Sequence, residues 1–338
     1  MSPAATNRAR WAAVVLACVA QFMVILDVSV VNVALPSIRD GLGFSATGLQ
    51  WVVNAYTLTF AGFLLLGGRA ADLLGRRRVF IGGLVLFSAA SLVGGLAGSQ
   101  GMLIGARAVQ GLGGAIISPA SLAIITTTFS DGAQRNKALG AWGAMGGAGG
   151  AFGVLLGGVL TDLLSWQWIL FINVPIGVAA ALLTPRFVAE GRARAGARNF
   201  DLAGALSVTL GLVAIVFAIV RTEVNGWGSA QTIVVLGAGL ALIALFLAIE
   251  GRFATRPLMP LRIFRSRPLS SANAIVFLLG AGMFGMWFFV SLYLQQVLGY
   301  SPLKAGLAFL PMTLTIIVGS MVASRLTRRF GVKPLLVT

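Results

Sequence analysis

Histidine is absent from this 338-residue chain, and Cys18 is its only cysteine. A chain without these residues lacks the usual ligands for transition metals, and one cysteine cannot form an intramolecular disulfide. Charge is also scarce, since Asp, Glu, Lys and Arg make up 10% of the chain against about 25% in a typical soluble domain. We therefore expect no metal, no redox cofactor and no soluble fold.

Apolar residues dominate instead, at 58% of the chain with a mean hydropathy of +0.93. A helix that spans a membrane needs about 20 mostly apolar residues. Ten runs of that kind occur, at 11–35, 47–68, 79–99, 102–128, 137–161, 167–185, 203–221, 230–249, 270–298 and 303–324. We predict an all-α integral membrane protein with ten spanning helices. A further apolar run starts after Lys333, which we interpret as the start of an eleventh helix and as a sign of truncation.

The formal net charge is +16, and its distribution predicts the orientation of the chain. With the N-terminus in the cytoplasm, 21 of the 25 basic residues fall on the cytoplasmic side and three on the other. Positive residues near helix ends stay inside, so this split predicts a cytoplasmic N-terminus. The basic clusters carry no nucleic-acid-binding motif, and we expect no nucleic acid partner. Arginine outnumbers lysine 22 to 3, and alanine and glycine are abundant, which suggests a GC-rich bacterial genome. We expect the chain in the bacterial cytoplasmic membrane.

The loop between the second and third runs, GGRAADLLGRRRVF (67–80), combines an acid with a cluster of arginines. It resembles the signature loop of the major facilitator superfamily, G-x-L-a-D-r-x-G-r-k. The matching residues are Gly68, Asp72, Gly75, Arg76 and Arg77. Ala70 and Leu73 depart from the pattern. An acid bonded to arginines at this position can latch one conformation, and a solvated basic loop is the alternative.

Arg107 stands inside the fourth apolar run, in LIGARAVQGLGGA (103–115). An arginine within a membrane helix is costly and is by default a functional candidate. The stretch resembles the fourth-helix motif of the same superfamily, with Gln110, Gly111 and Gly114 at matching places. The alternative is an arginine whose side chain extends to the outer membrane surface.

The fifth run carries glycines at alternating steps of three and four, which leave one helix face almost without side chains. They are Gly143, Gly146, Gly150, Gly153 and Gly157, with Gly158 next to the last. Another helix can approach such a face closely. The stretch GVLLGG (153–158) resembles the superfamily's antiporter motif, G-P-x-x-G-G, although Val154 replaces the proline. Ordinary tight packing is the alternative to an antiporter role.

Asp27 is the only charged residue between Trp11 and Leu35. It lies in LDVSVVNVALP (26–36), which resembles the first-helix motif of the superfamily's fourteen-helix drug:proton antiporter branch. The resemblance extends over the whole chain and implies two bundles separated by an inserted pair of helices. The predicted parts are a six-helix bundle (1–185), a basic cytoplasmic linker (186–201), the inserted pair (202–249), an interfacial linker (250–269) and an incomplete C-terminal bundle (270–338).

Asp27 and Arg107 are candidates for a pair, because both lie in the outer half of the membrane when depth is counted at about 1.5 Å per residue. Desolvation and a nearby arginine act in opposite directions on the affinity of a carboxyl for a proton. A conformational change would then let Asp27 bind a proton from one side and release it to the other. The alternative is a structural acid bonded to backbone amides, Gln21, Asn32 or Arg107.

The resemblance implies efflux of small amphipathic or cationic drugs or metabolites by alternating access, with the proton gradient as the energy source and no cofactor. The expected partners are these small molecules, protons and the lipid bilayer. Soft or aromatic side chains offer candidate substrate contacts. They are Met23, Tyr56, Phe60, Met283, Phe284 and Trp287. A polytopic scaffold, a receptor-like protein or a truncated member that does not transport is the alternative, while no nucleophile–base pair suggests an enzyme. The oligomeric state stays open.

Overall fold

The computed structural model describes residues 3–129, 132–191, 202–253 and 261–330. Long helices account for most of these residues. They are α1 (Pro3–Leu42), α2 (Ala46–Leu74), α3 (Arg76–Gly95), α4 (Gln100–Thr128), α5 (Gly132–Leu163), α6 (Trp168–Phe187), α7 (Leu202–Asn225), α8 (Ala230–Ala248), α9 (Arg267–Leu292) and α10 (Pro302–Phe330). Short π-helical turns, Ile249–Phe253 and Tyr293–Val297, follow α8 and α9, and a 3₁₀ turn, Leu261–Arg265, precedes α9.

These helices confirm the all-helical membrane fold. Within the described ranges, nine helices are long and apolar enough to cross a membrane, and α10 adds a shorter apolar stretch, Leu303–Ile316. Each of the ten predicted runs coincides with one helix over most of its length. Helix α1 has 40 residues and extends past the predicted run at both ends. Its length of about 60 Å is well above the thickness of a hydrocarbon core, about 30 Å.

Helix α1 lies at the centre of the first six helices. It packs against α4, α5 and α6, while α4 also packs against α2 and α3. Buried apolar side chains fill two main clusters along α1, one around Met23 and Phe87 and one around Leu35 and Ile169. Helices α7 and α8 pack together and join the bundle through α2, where Thr209 donates a hydrogen bond to the carbonyl of Gly62 (2.7 Å).

Three connections on the same side of the bundle define what we call the α1–α2 end. Gln100 Nε2, at the start of α4, donates to the carbonyl of Gly43 in the α1–α2 connection (2.9 Å). Trp166, between α5 and α6, lies against Gly41 near the end of α1. The opposite side carries the α2–α3 connection, and we call it the α2–α3 end.

Helices α9 and α10 contact the first six helices towards the α1–α2 end. Ser291 Oγ on α9 donates to the carbonyl of Asn32 on α1 (3.3 Å). The indole of Trp287 lies against Gly150 on α5, and α10 approaches the carbonyl of Val154 through a glycine. In the other half of α9, the side chains from 271 to 283 are not covered by the described protein. Among the described residues, helix α9 therefore packs against the bundle at one end only.

The two predicted linkers lie partly outside the described residues. Of 186–201, the first two residues still belong to α6, 188–191 follow it, and 192–201 are not described. Of 250–269, residues 254–260 are not described, and α9 already begins at Arg267. The division of the chain into bundles, linkers and an inserted pair stays a prediction.

Candidate functional site

Asp27 and Arg107 form a buried ion pair between α1 and α4. Asp27 has no exposed surface and Arg107 is 2% exposed. Arg107 Nη1 donates to Asp27 Oδ2 and to Gln110 Oε1 (2.7 Å), and Arg107 Nε donates to the carbonyl of Val52 on α2 (3.2 Å). A charge in such a place is tolerated when it is paired and its remaining hydrogen bonds are made. Arg107 thus points into the bundle rather than to the membrane surface.

Two side-chain amides complete the shell of Asp27. Gln110 Nε2 on α4 and Asn173 Nδ2 on α6 both donate to Asp27 Oδ1, at 2.7 and 2.8 Å. Each also donates to Ser91 Oγ on α3 at 3.1 Å, and this hydroxyl donates to the carbonyl of Leu170 (2.8 Å). The carboxylate therefore accepts hydrogen bonds from an arginine and two amides, all of them buried.

Tyr56 on α2 covers the arginine. The Arg107 guanidinium lies 4.3 Å from the centre of the Tyr56 ring, which is the geometry of a cation–π contact. The Tyr56 hydroxyl donates to the carbonyl of Val24 on α1 (3.4 Å). We call Asp27, Tyr56, Ser91, Arg107, Gln110 and Asn173 the Asp27 cluster, and they come from α1, α2, α3, α4 and α6.

An interruption in α6 precedes Asn173. The helix consists of Trp168–Phe171 and Asn173–Phe187, with a turn at Ile172 between them. Pro175 has no backbone N–H, so the carbonyl one turn earlier cannot receive its usual helical bond, and a break near this point is expected. The second segment begins with Asn173, whose side chain reaches Asp27 and Ser91.

At the α2–α3 end, the arginines of the signature loop bind two acids. Arg76 Nη2 contacts Asp72 Oδ1 at 3.3 Å, which joins the end of α2 to the start of α3. Arg77 Nε and Arg78 Nε lie 3.3 and 3.6 Å from Glu190 Oε2, just beyond α6. The loop is therefore attached to the end of α6 as well as to its own helix.

Glycine is needed at two positions of the signature loop for different local reasons. Gly75 separates α2 from α3 with a φ of +105°, a conformation that side chains rarely adopt. Gly68 faces Pro119 of α4, where an added Cβ would lie 3.4 Å from the proline ring. The first glycine makes the turn, and the second lets α2 and α4 pack.

Residues 17–338 match the Major Facilitator Superfamily. The chain belongs to this superfamily. It is 47% identical over 307 residues to the cephamycin export protein CmcT of Amycolatopsis lactamdurans, a match that covers 90% of this chain and 63% of the relative. It is 44% identical over 329 residues to the puromycin resistance protein pur8 of Streptomyces alboniger, covering 97% of this chain and 65% of the relative.

The chain spans less than two thirds of the length of these two curated relatives. Among solved structures, it is similar to a peptide transporter POT in complex with sulfate, with a TM-score of 0.64 and 17% sequence identity. That match covers 94% of this chain and 69% of the POT chain. Identity this low shows a shared fold and nothing about substrate.

In this superfamily member, the five candidate substrate contacts whose side chains are described do not gather at one place. Met23 and Tyr56 are buried in one apolar cluster, and Phe60 packs against the same cluster and stacks on Tyr56 at 6.0 Å. Met283 is exposed on α9, and Trp287 lies against α5. The side chain of Phe284 lies outside the described part of the structure.

The sequence prediction missed three members of the two charged regions. Ser91 and Asn173 complete the shell around Asp27, and Glu190 binds the signature loop. Ser91 gave no signal, because serine is ordinary in membrane helices. Two signals were available in the sequence. They are Asn173, two residues before Pro175 in the sixth apolar run, and Glu190, an acid within the basic linker 186–201.

Proposed function

We propose that this chain carries out proton-coupled export of small amphipathic or cationic molecules across the bacterial cytoplasmic membrane by alternating access. The observation that carries the proposal is the buried ion pair of Asp27 and Arg107. Protonation of Asp27 would neutralise the carboxylate and leave Arg107 without a counter-ion. Since an uncompensated buried charge is strongly unfavourable, the bundle would then rearrange.

The substrate class is supported by the relatives. One of them is a cephamycin export protein and the other a puromycin resistance protein. We propose a compound of this kind, an antibiotic or a similar amphipathic molecule, as the substrate. Soft and aromatic side chains on α9, among them Trp287, stay candidates for contact with it.

We propose further that the α2–α3 end faces the cytoplasm and the α1–α2 end faces outwards. The distribution of basic residues supports this orientation, since the arginines 76–78 lie at the α2–α3 end. In this orientation, Asp72, Glu190 and their arginines form a cytoplasmic latch. Residues 1–185 form the first bundle, 202–249 the inserted pair and 270–338 part of a second bundle.

A transport assay tests the proposal. The purified chain is reconstituted into liposomes, a pH gradient is imposed, and the movement of ethidium, a fluorescent lipophilic cation, is followed with and without a protonophore. We expect gradient-driven dye movement in the unaltered chain and none in Asp27→Asn, because an amide can neither bind nor release a proton near neutral pH.

Asp40→Asn is the matched control. Asp40 is an exposed acid at the α1–α2 end, paired with Arg39, and its replacement removes one carboxylate of the same type. This variant should transport like the unaltered chain. Dye movement at an unchanged rate in a well-folded Asp27→Asn variant would contradict the proposed coupling, and a scaffold or receptor role would predict no gradient-driven movement in any variant.

A further inference from the structure

Asn173 carries a hydrogen-bond acceptor that has no partner among the described residues. Its side chain has no exposed surface, and its Nδ2 donates to Asp27 Oδ1 and Ser91 Oγ. Its Oδ1 is buried and makes no hydrogen bond within the described part of the chain. Buried polar atoms are nearly always bonded, so an orphaned oxygen beside an ionisable group calls for an explanation.

Asp27, the ionisable group bonded to Asn173, accepts hydrogen bonds in this structure. An ionised carboxylate only accepts hydrogen bonds, and Asp27 accepts them from Arg107, Gln110 and Asn173. A protonated carboxyl becomes a donor and needs an acceptor. At Asp27 Oδ1 both neighbouring amides present N–H groups, so an added proton would face two donors and no acceptor.

The other polar groups around Asp27 already use their acceptors or are engaged as donors. The Gln110 oxygen accepts from Arg107, and turning this amide over would break that bond. The Ser91 hydroxyl donates to the carbonyl of Leu170. The charged and titratable groups that face Asp27 are Arg107 from α4 and Tyr56 from α2, and the Tyr56 hydroxyl donates to Val24. In the Asp27 cluster, only the Asn173 oxygen has no bond to lose. Turning this amide over breaks the neutral bond from its Nδ2 to Ser91, a smaller loss than the charge-assisted bond between Gln110 and Arg107.

We propose that Asn173 is a positioning residue for the coupling proton: when Asp27 is protonated, the Asn173 amide turns over and its Oδ1 accepts the hydrogen bond of the neutral carboxyl. The turn exchanges oxygen and nitrogen at nearly the same positions, because the last side-chain torsion of asparagine has broad, two-fold preferences. The inference rests on the proposed function, since it assumes that Asp27 binds a proton. It adds an acceptor for the protonated state, which the ion pair with Arg107 does not supply.

Infrared difference spectroscopy tests this inference on the purified chain in lipid. Spectra at acidic and neutral pH reveal the carbonyl stretch of each carboxyl that takes up a proton, and loss of one band in Asp27→Asn assigns that band. A carboxyl whose O–H is hydrogen-bonded absorbs at lower wavenumber than a free one. We expect the Asp27 band to shift upwards in Asn173→Leu, which keeps the size of the side chain but has no acceptor.

Asn173→Thr is the conservative comparison, because its hydroxyl can accept as well as donate. It should keep the Asp27 band near its original position and retain dye efflux, whereas Asn173→Leu should lose efflux. If Asn173→Leu is not recovered folded, Asn173→Ala replaces it with the same expected upward shift. A folded Leu or Ala variant with an unshifted Asp27 band overturns the inference. Absence of any Asp27 band in the unaltered chain overturns the proposed function itself, so the two failures are distinguishable.

Discussion

Arg107 contributes hydrogen bonds and a ring contact as well as its charge. One terminal nitrogen binds Asp27 and Gln110, Nε binds a backbone carbonyl of α2, and the guanidinium plane lies over Tyr56. Lysine offers a compact charge and cannot make these contacts together. The residue therefore joins α1, α2 and α4, and its removal affects both the charge balance and the packing of the bundle.

A double-mutant cycle measures this coupling at the residue scale. Arg107→Ala leaves the Asp27 carboxylate buried without its cation, and we expect a loss of about 3–5 kcal/mol of stability. The double variant Asp27→Ala, Arg107→Ala leaves neither charge and should be less destabilised than the sum of the two single variants. Unfolding followed by intrinsic tryptophan fluorescence in detergent gives these values. Additive single effects would show that the two side chains are energetically independent.

Of the residues around Asp27, the charged ones were the most readily predicted from the sequence. Asp27 and Arg107 were identifiable because a charged residue in an apolar run is rare and costly. Ser91 and Asn173 carry no charge. They belong to the site only because the faces of α3 and α6 on which they lie pack towards Asp27 on α1. The contacts of Asn173 are with residues more than 80 positions away in the chain. No local sequence pattern indicates such contacts.

At the scale of single helices, the glycine stripe of α5 has two different halves. Gly153 and Gly157 lie directly against Ser29, Val30 and neighbouring backbone atoms of α1. Gly143 and Gly146, nearer the α2–α3 end, have no other described helix within contact distance of an added Cβ. The close approach that the stripe predicts is thus made by α1 in one half only.

Alanine substitutions distinguish the two halves. An added Cβ at Gly153 would lie 2.5 Å from Ser29 Cβ and 3.0 Å from the carbonyl of Leu26. We expect Gly153→Ala to force α1 and α5 apart at a cost of about 1–3 kcal/mol. Gly146→Ala, in open space on the same helix, should be neutral or slightly stabilising because alanine favours the helix. Thermal unfolding of both purified variants in detergent provides the comparison, and equal midpoints would contradict the packing described.

The helices themselves were largely predictable, since the length and hydropathy of each run reflect the thickness of the membrane. Their partners were not. A stripe of small residues indicates that a helix approaches, but it does not say which one or over what length. The break in α6 was also missed, although Pro175 gave a local signal for it.

For the whole molecule, the contacts at Asn32, Gly150 and Val154 bring α9 and α10 against the bundle near the α1–α2 end. The half of α9 nearer the α2–α3 end is uncovered by the described residues. In the proposed orientation, these contacts lie towards the outside of the membrane. Alternating access requires that such contacts break and form again in each transport cycle.

Reversible crosslinking tests this requirement. Asn32→Cys and Ser291→Cys are combined in a Cys18→Ala background, which removes the only native cysteine, and the pair is joined by a short bifunctional methanethiosulfonate reagent. Because the hydroxyl of Ser291 lies 3.3 Å from the carbonyl of Asn32, the two new thiols should be close enough to react with one molecule of reagent. We expect gradient-driven ethidium movement to stop after crosslinking and to return when dithiothreitol cleaves the link. Each single-cysteine variant, treated in the same way, should continue to transport, and a fully crosslinked chain that moves dye at its original rate would show that these contacts need not open.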